Sequence, residues 1–153
     1  SMSAQRQQLS QTPVLVYPSP GPILLGSEGD ANDLIGDSWG HETGWVAVPV
    51  NRISEDFFRL STGVAGGIVQ KFVNYRIKLV IVGDVTPYTE TSSAFADFVT
   101  ESNRGSQTWF VPDITQLRDR LTARQSRQDS RLLVWRPVVD RLGPRRPDDI
   151  RLL

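Results

Sequence analysis

The segment 77–82 constrains the fold more than any other part of the chain. It reads Ile77-Lys78-Leu79-Val80-Ile81-Val82, and Gly83-Asp84 ends it. A strand with one face in water alternates apolar and polar residues, whereas a strand covered on both faces is apolar almost throughout. We therefore predict a central strand in a mostly parallel sheet, with helices packed on its faces.

An amphipathic helix is predicted directly before this strand, over residues 64–75. Its apolar residues recur at helical spacing along one stripe: Val64, Ile68, Val69, Phe72 and Val73. The remaining elements predicted after residue 44 are strands at 45–50 and 108–111, a helix after Ser92 or Ser93 and a helix after Asp113. Alternation of strands and helices from 45 to 122 is typical of an α/β domain with right-handed crossovers.

The first part of the domain is predicted to contain two short strands and one helix. The strands lie at 14–17 and 23–25, on either side of the turn Pro18-Ser19-Pro20-Gly21-Pro22, and the helix covers 28–38. We therefore expect an α/β fold with a mixed, mostly parallel sheet of four to five strands and three to four helices.

The two ends of the chain differ in composition from the segment 13–122, which we interpret as a single domain. Residues 1–12 are polar and are predicted to form a disordered lead. Residues 123–153 hold eight arginines and three prolines, and we interpret them as a tail in which the apolar segment 132–135 could add an edge strand. This segment and the strand at 14–17, if both lie at sheet edges, leave room for a homodimer.

Composition excludes several classes of site and partner. The chain has no cysteine and a single histidine, His41, so no metal site built from cysteines or several histidines is available. We expect neither a metal nor a cofactor. The formal net charge is zero, which gives no general attraction to nucleic acid or to an anionic membrane. Nucleic-acid binding would depend on the arginine-rich tail alone, and we rank it last.

The sequence also argues against a membrane protein. No apolar run approaches the roughly 20 residues that a membrane-spanning helix needs. Residues 1–12 contain no apolar signal-peptide segment, so a cytoplasmic location is expected.

Ser61-Thr62-Gly63, directly before the helix 64–75, is the first candidate binding site. The first turn of a helix has free N–H groups and the positive end of the helix dipole, which can hold an anion or a phosphate. The alternative is structural: Ser61 or Thr62 caps the helix, and Gly63 allows close packing.

The carboxyl edge of the sheet is the second candidate. Ligands of open α/β sheets bind beyond the carboxyl ends of the strands. Asn51, Asp84 and Asp113 should gather there, although both aspartates also suit ordinary turns and caps.

The third candidate is the polar segment Glu101-Ser102-Asn103-Arg104-Gly105. Asn103 and Arg104 are its proposed binding residues, and a simple helix stop is the alternative.

Several short motifs between residues 23 and 121 resemble the bacterial family known as domain of unknown function 4180. They are Asp56-Phe57-Phe58, Thr62-Gly63-Val64-Ala65-Gly66, Gln70-Lys71-Phe72, Asn74-Tyr75-Arg76, Ile81-Val82-Gly83-Asp84, Phe98-Val99, Glu101-Ser102-Asn103-Arg104-Gly105 and Trp109-Phe110-Val111. The resemblance implies no known activity. Where the family usually has an acidic residue, this chain has Gly67, so carboxylate chemistry from that position is not expected.

A second resemblance is to STAS domains, the fold of bacterial anti-sigma-factor antagonists. The turn Leu60-Ser61-Thr62-Gly63, the helix after it and the strand 79–82 follow the order of that fold. In STAS domains a serine at this turn accepts a phosphate that switches partner binding, and Ser61 falls at that position. Leu60 stands where those domains have an acidic residue.

Two functions follow from these patterns. The first is a non-catalytic regulatory or interaction module of STAS-like type, which binds a protein partner or small ligand near Ser61–Gly67. The alternative is a small enzyme or ligand-binding protein of a biosynthetic or resistance pathway. Such a protein would use a pocket at the carboxyl edge of the sheet, with Asp84, Asn103 and Arg104 as polar anchors.

Overall fold

The computed structural model describes the backbone of residues 4–141 and the side chains of residues 4–128. A five-stranded sheet forms the middle of the domain, and helices cover both of its faces. The strands are β1 (Gln5–Leu9), β2 (Thr12–Val16), β3 (Trp45–Pro49), β4 (Lys78–Val82) and β5 (Thr108–Val111). The helices are α1 (Glu28–Gly40), α2 (Val64–Asn74), α3 (Thr86–Thr89), α4 (Ser93–Arg104) and α5 (Ile114–Arg141), with 3-10 turns at Val50–Arg52, Glu55–Phe58 and Leu60–Thr62.

The strands lie in the sheet in the order in which they occur in the chain. β1 pairs with β2 antiparallel, and the pairs β2–β3, β3–β4 and β4–β5 are all parallel. The predicted α/β fold with a mostly parallel mixed sheet is therefore confirmed. Right-handed crossovers that step in one direction place their helices on one face of the sheet, and α1, α2 and α4 accordingly share a face.

The side chains of β4 alternate between two separate cores. Leu79 and Ile81 pack with α1, α2 and α4, whereas Val80 packs on the opposite face beneath α5. All three side chains are fully buried. The prediction that this strand is covered on both faces is thus confirmed.

The face opposite α1 and α2 is covered by α5 through leucines and stacked cation–aromatic pairs. Leu117 and Leu121 are buried against this face of the sheet. The guanidinium of Arg120 lies 3.7 Å from the ring centre of Trp109, and Trp109 is 4.9 Å from Trp45. Arg120 also donates a hydrogen bond to the backbone carbonyl of Asn103, so one side chain joins α5 to both β5 and α4.

Residues 5–9 form a strand where the polar composition predicts a disordered lead. The strand pairs with β2 across a two-residue turn, with Leu9 opposite Thr12, and Ser10 in that turn has a positive φ of 57°. Leu9 is fully buried and anchors the hairpin, while Gln5 and Gln8 are exposed and Gln7 is half-buried. Backbone hydrogen bonds to β2 hold this strand in place. Because the prediction used side-chain composition, it could not detect these bonds.

The predicted strand at 23–25 and the predicted edge position of 14–17 are also wrong. β2 lies between β1 and β3, so it is an interior strand and offers no free edge for a second copy of the chain. Because both edges of β2 are occupied, the segment 23–25 cannot pair with it. Leu25 makes only an isolated bridge to Ile53.

The C-terminal segment continues α5 as far as Arg141, so the edge strand predicted at 132–135 is wrong. No glycine or proline occurs between Asp113 and Arg136, and extending an existing helix is easier than starting a strand. The remainder of the predicted tail, residues 142–153, lies outside the described residues. Within the described chain, no helix combines the length and apolar character needed to cross a membrane.

We predict that Arg120→Ala lowers the free energy of unfolding by about 1–2 kcal/mol, because it removes a cation–π contact and a hydrogen bond. Urea denaturation followed by tryptophan fluorescence measures the change. Arg118→Ala is the matched control, since Arg118 is exposed on the same helix, and it should change stability by less than about 0.5 kcal/mol. Equal losses in the two variants would contradict the role assigned to Arg120.

Candidate functional site

Adjoining cavities line the carboxyl edge of the sheet, where the loops after β2, β3 and β4 meet. We name them the Asp84 cavity, the Tyr88 cavity and the Ser61 cavity. Asn51 and Asp84 line both the Asp84 cavity and the Tyr88 cavity, so these two are neighbours. Glu55 and Tyr88 line both the Tyr88 cavity and the Ser61 cavity. The row therefore connects two of the regions that the sequence singles out.

The Asp84 cavity has a volume of about 490 Å³ and an apolar floor. Val16, Ala47 and Val82 line it from the face of the sheet that α5 packs against, and Ile114 lines it from the start of α5. Leu117 and Leu121 cover this face deeper under α5 and do not line the cavity.

Polar groups from three loops complete the Asp84 cavity. Asn51 Nδ2 donates to Ser19 Oγ over 2.8 Å, which joins the loop after β3 to the loop after β2. Asp84, after β4, is exposed, and its Oδ1 accepts a hydrogen bond of 2.9 Å from the backbone N–H of Thr86. Hydrogen bonds from Thr86 hold the pKa of the Asp84 carboxyl below its usual value. The cavity therefore has a carboxylate at its rim at neutral pH.

A buried arginine holds the loop that carries Ser19. Arg52 is only 4% exposed, and its guanidinium donates to the carbonyls of Pro18 (2.7 Å) and Pro22 (2.9 Å). A Cβ on Gly21 would lie 2.6 Å from the guanidinium carbon, so a larger residue here would push the Arg52 guanidinium away from these carbonyls. Arg52 thus fixes the position of Ser19 beside Asn51.

The Ser61–Gly63 turn is held rigidly by Thr62. The Thr62 hydroxyl lies 2.7 Å from the carbonyl oxygen of Asp56 and 2.8 Å from that of Arg59, and it accepts a 3.3 Å bond from Val64 N. Gly63 is the N-cap residue of α2 and has φ of 77°, a conformation that favours glycine. The alternative in which Ser61 or Thr62 is the N-cap residue is therefore wrong.

Ser61, in contrast, takes no part in the hydrogen bonds that the described residues use to hold this turn. It is exposed, and its hydroxyl has no hydrogen-bond partner among the described residues. It lines the Ser61 cavity, of about 570 Å³, together with Arg59 and Tyr88. Its hydroxyl is accordingly available to a partner, a ligand or a modifying group.

Tyr88 forms the wall between the Ser61 cavity and the Tyr88 cavity. Its ring stacks on Phe58 at 4.0 Å, and its hydroxyl donates to Glu55 Oε1 over 3.2 Å. Burial, together with the negative charge of Glu55, raises the pKa of Tyr88. Tyr88 therefore remains protonated at neutral pH.

The other predicted site residues do not line these cavities. Asn103 Oδ1 accepts from the backbone N–H of Phe110 over 2.7 Å and so covers the outer edge of β5. Arg104 is exposed and pairs with Glu101 at 3.1 Å. Asp113 accepts from Gln116 N over 2.8 Å, which is an ordinary helix-cap contact. The structure therefore brings Asn51 and Asp84 together but leaves Asn103, Arg104 and Asp113 in structural contacts.

A carboxylate from another helix lies beside Gly67, near the start of α2. A Cβ on Gly67 would lie 2.8 Å from Oε2 of Glu28, so Glu28 occupies the space above this residue. The other oxygen of Glu28 is 4.0 Å from Lys71 Nζ. Glu28 thus supplies from α1 an acidic group near the position where the sequence pattern lacks one.

Neither His41 nor any acidic cluster offers a metal site in the described part of the chain. His41 Nδ1 lies 2.9 Å from the carbonyl oxygen of Asp37, at the end of α1. The described residues contain no group of three or more histidine, cysteine, aspartate or glutamate side chains that could hold a metal ion.

Sequence reasoning missed Ser19, Arg52, Glu55 and Tyr88. Ser19 lies in a proline-rich turn, which reads as a simple chain break, and Arg52 reads as a surface arginine. Glu55 and Tyr88 are far apart in sequence and meet only through the crossover of α2. The one available signal was position, because Arg52, Glu55 and Tyr88 all follow the carboxyl end of a predicted strand.

Comparison with known proteins gives one match. The family model described as a domain of unknown function (DUF4180) matches residues 9–121. No curated protein and no solved structure matches the chain. The matched segment starts within the β1–β2 hairpin and ends where Leu121 of α5 is buried against the sheet, so it covers nearly all of the packed domain. The chain therefore belongs to the domain of unknown function 4180 family.

Proposed function

We propose that this domain is a non-catalytic regulatory or interaction module that binds a protein partner through the surface around Ser61–Gly67. The observation that carries the proposal is the free, exposed hydroxyl of Ser61 on a turn that is otherwise fully held in place. Because this turn is already rigid, binding a partner there loses little conformational entropy. The unsatisfied hydroxyl can then form a hydrogen bond in a defined geometry, which suits a recognition surface.

The electrostatic setting of Ser61 supports a switch at this surface. The N-terminus of α2 follows directly, and its first N–H groups and dipole favour negative charge. Arg59 lines the same cavity and offers a guanidinium, while the Glu55 carboxylate in this cavity accepts a hydrogen bond from the Tyr88 hydroxyl. A phosphate on Ser61 would be accommodated here, in agreement with the resemblance to STAS domains. The order of β3, turn, α2, β4, helix, β5 and α5 also agrees with that fold.

A second candidate function is favoured by the Asp84 cavity. Small-molecule sites are concave and mostly apolar, with a few polar groups that orient the ligand, and the Asp84 cavity has this composition. The domain would then be a ligand-binding protein or small enzyme of a biosynthetic or resistance pathway. Of the polar anchors proposed from sequence, Asp84 lines this cavity, while Asn51 and Ser19 replace Asn103 and Arg104.

We predict that Ser61→Asp leaves the free energy of unfolding unchanged to within about 0.5 kcal/mol, because the side chain is exposed and unpartnered. Thr62→Val should lower it by about 1 kcal/mol, because Thr62 donates to backbone carbonyls that hold the turn. Urea denaturation of the two variants and the wild type gives the comparison. A larger loss in Ser61→Asp than in Thr62→Val would contradict the description of this turn.

We also predict that Ser61→Asp reduces partner binding at least tenfold, or strengthens it by a similar factor if the partner recognises the phosphorylated form. The measurement is affinity capture from a lysate of the organism that encodes the protein. Quantitative mass spectrometry then compares the proteins captured by the Ser61→Asp variant with those captured by the wild type. Ser106→Asp is the matched control, because Ser106 is exposed and lies two residues before β5, at the amino end of the parallel strands. Its captured proteins should equal those of the wild type.

Two outcomes of the same capture experiment would overturn the proposal. If the wild type captures no protein above background, the interaction function is rejected. If the same partner binds the wild type, Ser61→Asp and Ser106→Asp equally, the partner does not use the Ser61 surface.

A further inference from the structure

We propose that the Asp84 cavity binds a small organic cation, with an ammonium group at Asp84 and an apolar body on the floor of the cavity. This inference rests on the second candidate function and is independent of the Ser61 surface. Two properties of the cavity indicate this class of ligand. The charged group at its rim is negative, and its floor is apolar.

The apolar floor sets the nature of the ligand body. Val16, Ala47 and Val82 present only aliphatic carbon from three neighbouring strands, and Ile114 adds to this surface from α5. Trp45 and Trp109, which pack on the same face as this floor, do not line the cavity. Tyr17 is the one aromatic residue in its lining among the described residues, and it packs with the core on the opposite face of the sheet. The floor therefore suits an aliphatic chain or a small saturated ring better than a stacked nucleobase.

The sign of the charge follows from the residues around Asp84. Asp84 lines the Asp84 cavity, the Tyr88 cavity and a fourth cavity beside Thr89 and Val99. Among the described residues that line these three cavities there is no lysine, arginine or histidine, while Glu55 adds a second carboxylate in the Tyr88 cavity. An anionic ligand would meet only like charge here, whereas a cation is attracted.

The arginine next to Asn51 in sequence does not offset this charge. Arg52 follows Asn51 directly, but it is buried and donates to the carbonyls of Pro18 and Pro22 behind the loop. It lines none of the cavities that contain Asp84. The pair of Ser19 and Asn51 provides neutral hydrogen-bond acceptors at the rim, which an ammonium group can use in addition to the carboxylate.

Titration with three six-carbon compounds of different charge tests the assignment: hexylammonium chloride, 1-hexanol and sodium hexanoate. Amide chemical shifts of the full chain, recorded by NMR at pH 7, report binding at Ser19, Asn51 and Asp84. We expect hexylammonium to bind about fivefold more tightly than 1-hexanol, the advantage of one partly exposed ion pair, and hexanoate to bind most weakly. Added salt should weaken only the binding of hexylammonium appreciably.

Asp84→Asn removes the charge but keeps an oxygen that can accept from Thr86 N, so the loop after β4 should retain its shape. This variant should bind hexylammonium no better than 1-hexanol. Asp97→Asn is the matched control, because Asp97 is an exposed carboxylate on α4 that lines none of these cavities. It should bind hexylammonium as the wild type does.

The outcomes separate the assignment from the function on which it rests. Equal binding of hexylammonium and hexanoate, or full retention of hexylammonium binding in Asp84→Asn, would overturn the cation assignment and leave a ligand cavity in place. If none of the three compounds shifts these amides, both the assignment and the ligand-binding function of the Asp84 cavity are rejected, and the Ser61 surface is unaffected.

Discussion

Burial of β4 on both faces is the constraint on which the rest of the structure depends. Leu79 and Ile81 need a cover on one side and Val80 needs one on the other. On the first side α1, α2 and α4 form a continuous layer. On the second side α5 is the one helix that the structure describes, and its Leu117 and Leu121 pack over the amino half of the sheet, where Trp45 and Trp109 lie. Among the described residues the carboxyl half of that face is left open, and this opening is the Asp84 cavity.

The site region thus arises from unequal coverage of the two faces and not from a special motif. The loops after β2, β3 and β4 meet at the open end because parallel strands place their carboxyl ends along one edge. What turns the opening into a defined cavity is the packing of Arg52 against the proline-rich loop. Arg52 has no carboxylate partner among the described residues; backbone carbonyls satisfy it instead. A buried guanidinium satisfied in this way is costly to disturb, since losing one carbonyl contact leaves part of the charge unpaired.

Most of the fold could be predicted from the sequence, because the helices and parallel strands carry clear periodic patterns. The strand around Val80, the helix that contains Ile68 and Phe72, and the strand at Trp109 all have side chains whose burial depends on local spacing alone. The predictions failed where long-range pairing decides the structure. β1 is polar and forms only because β2 offers it hydrogen bonds, and the apolar segment 132–135 is compatible with either helix or strand until its connection to α5 is known.

The candidate site was predictable only in part, for the same reason. Asp84 and Asn51 follow strands, so their position at the carboxyl edge could be inferred from topology. The environment of Ser61 could be anticipated from the helix that follows it. The sequence does not show, however, that Thr62 holds the turn while the Ser61 hydroxyl has no partner among the described residues. Asn103 attracted attention as a polar residue at a helix end, but its amide oxygen serves an unpaired N–H of the edge strand β5. Sequence alone does not show which polar residues satisfy the backbone and which face solvent.

The contact between Glu28 and Gly67 has a consequence for how members of this family should be compared. The two side chains compete for one volume, because a Cβ at 67 would lie 2.8 Å from Oε2 of Glu28, and this exposed side chain would have to turn away. An acidic residue on α1 or one on α2 can therefore supply the negative charge near the start of α2. Residues 28 and 67 should accordingly vary together across relatives, with a small residue at one accompanying a long acidic residue at the other. Gly67 on its own would indicate that no acidic group lies here, whereas in the folded domain the Glu28 carboxylate occupies this place.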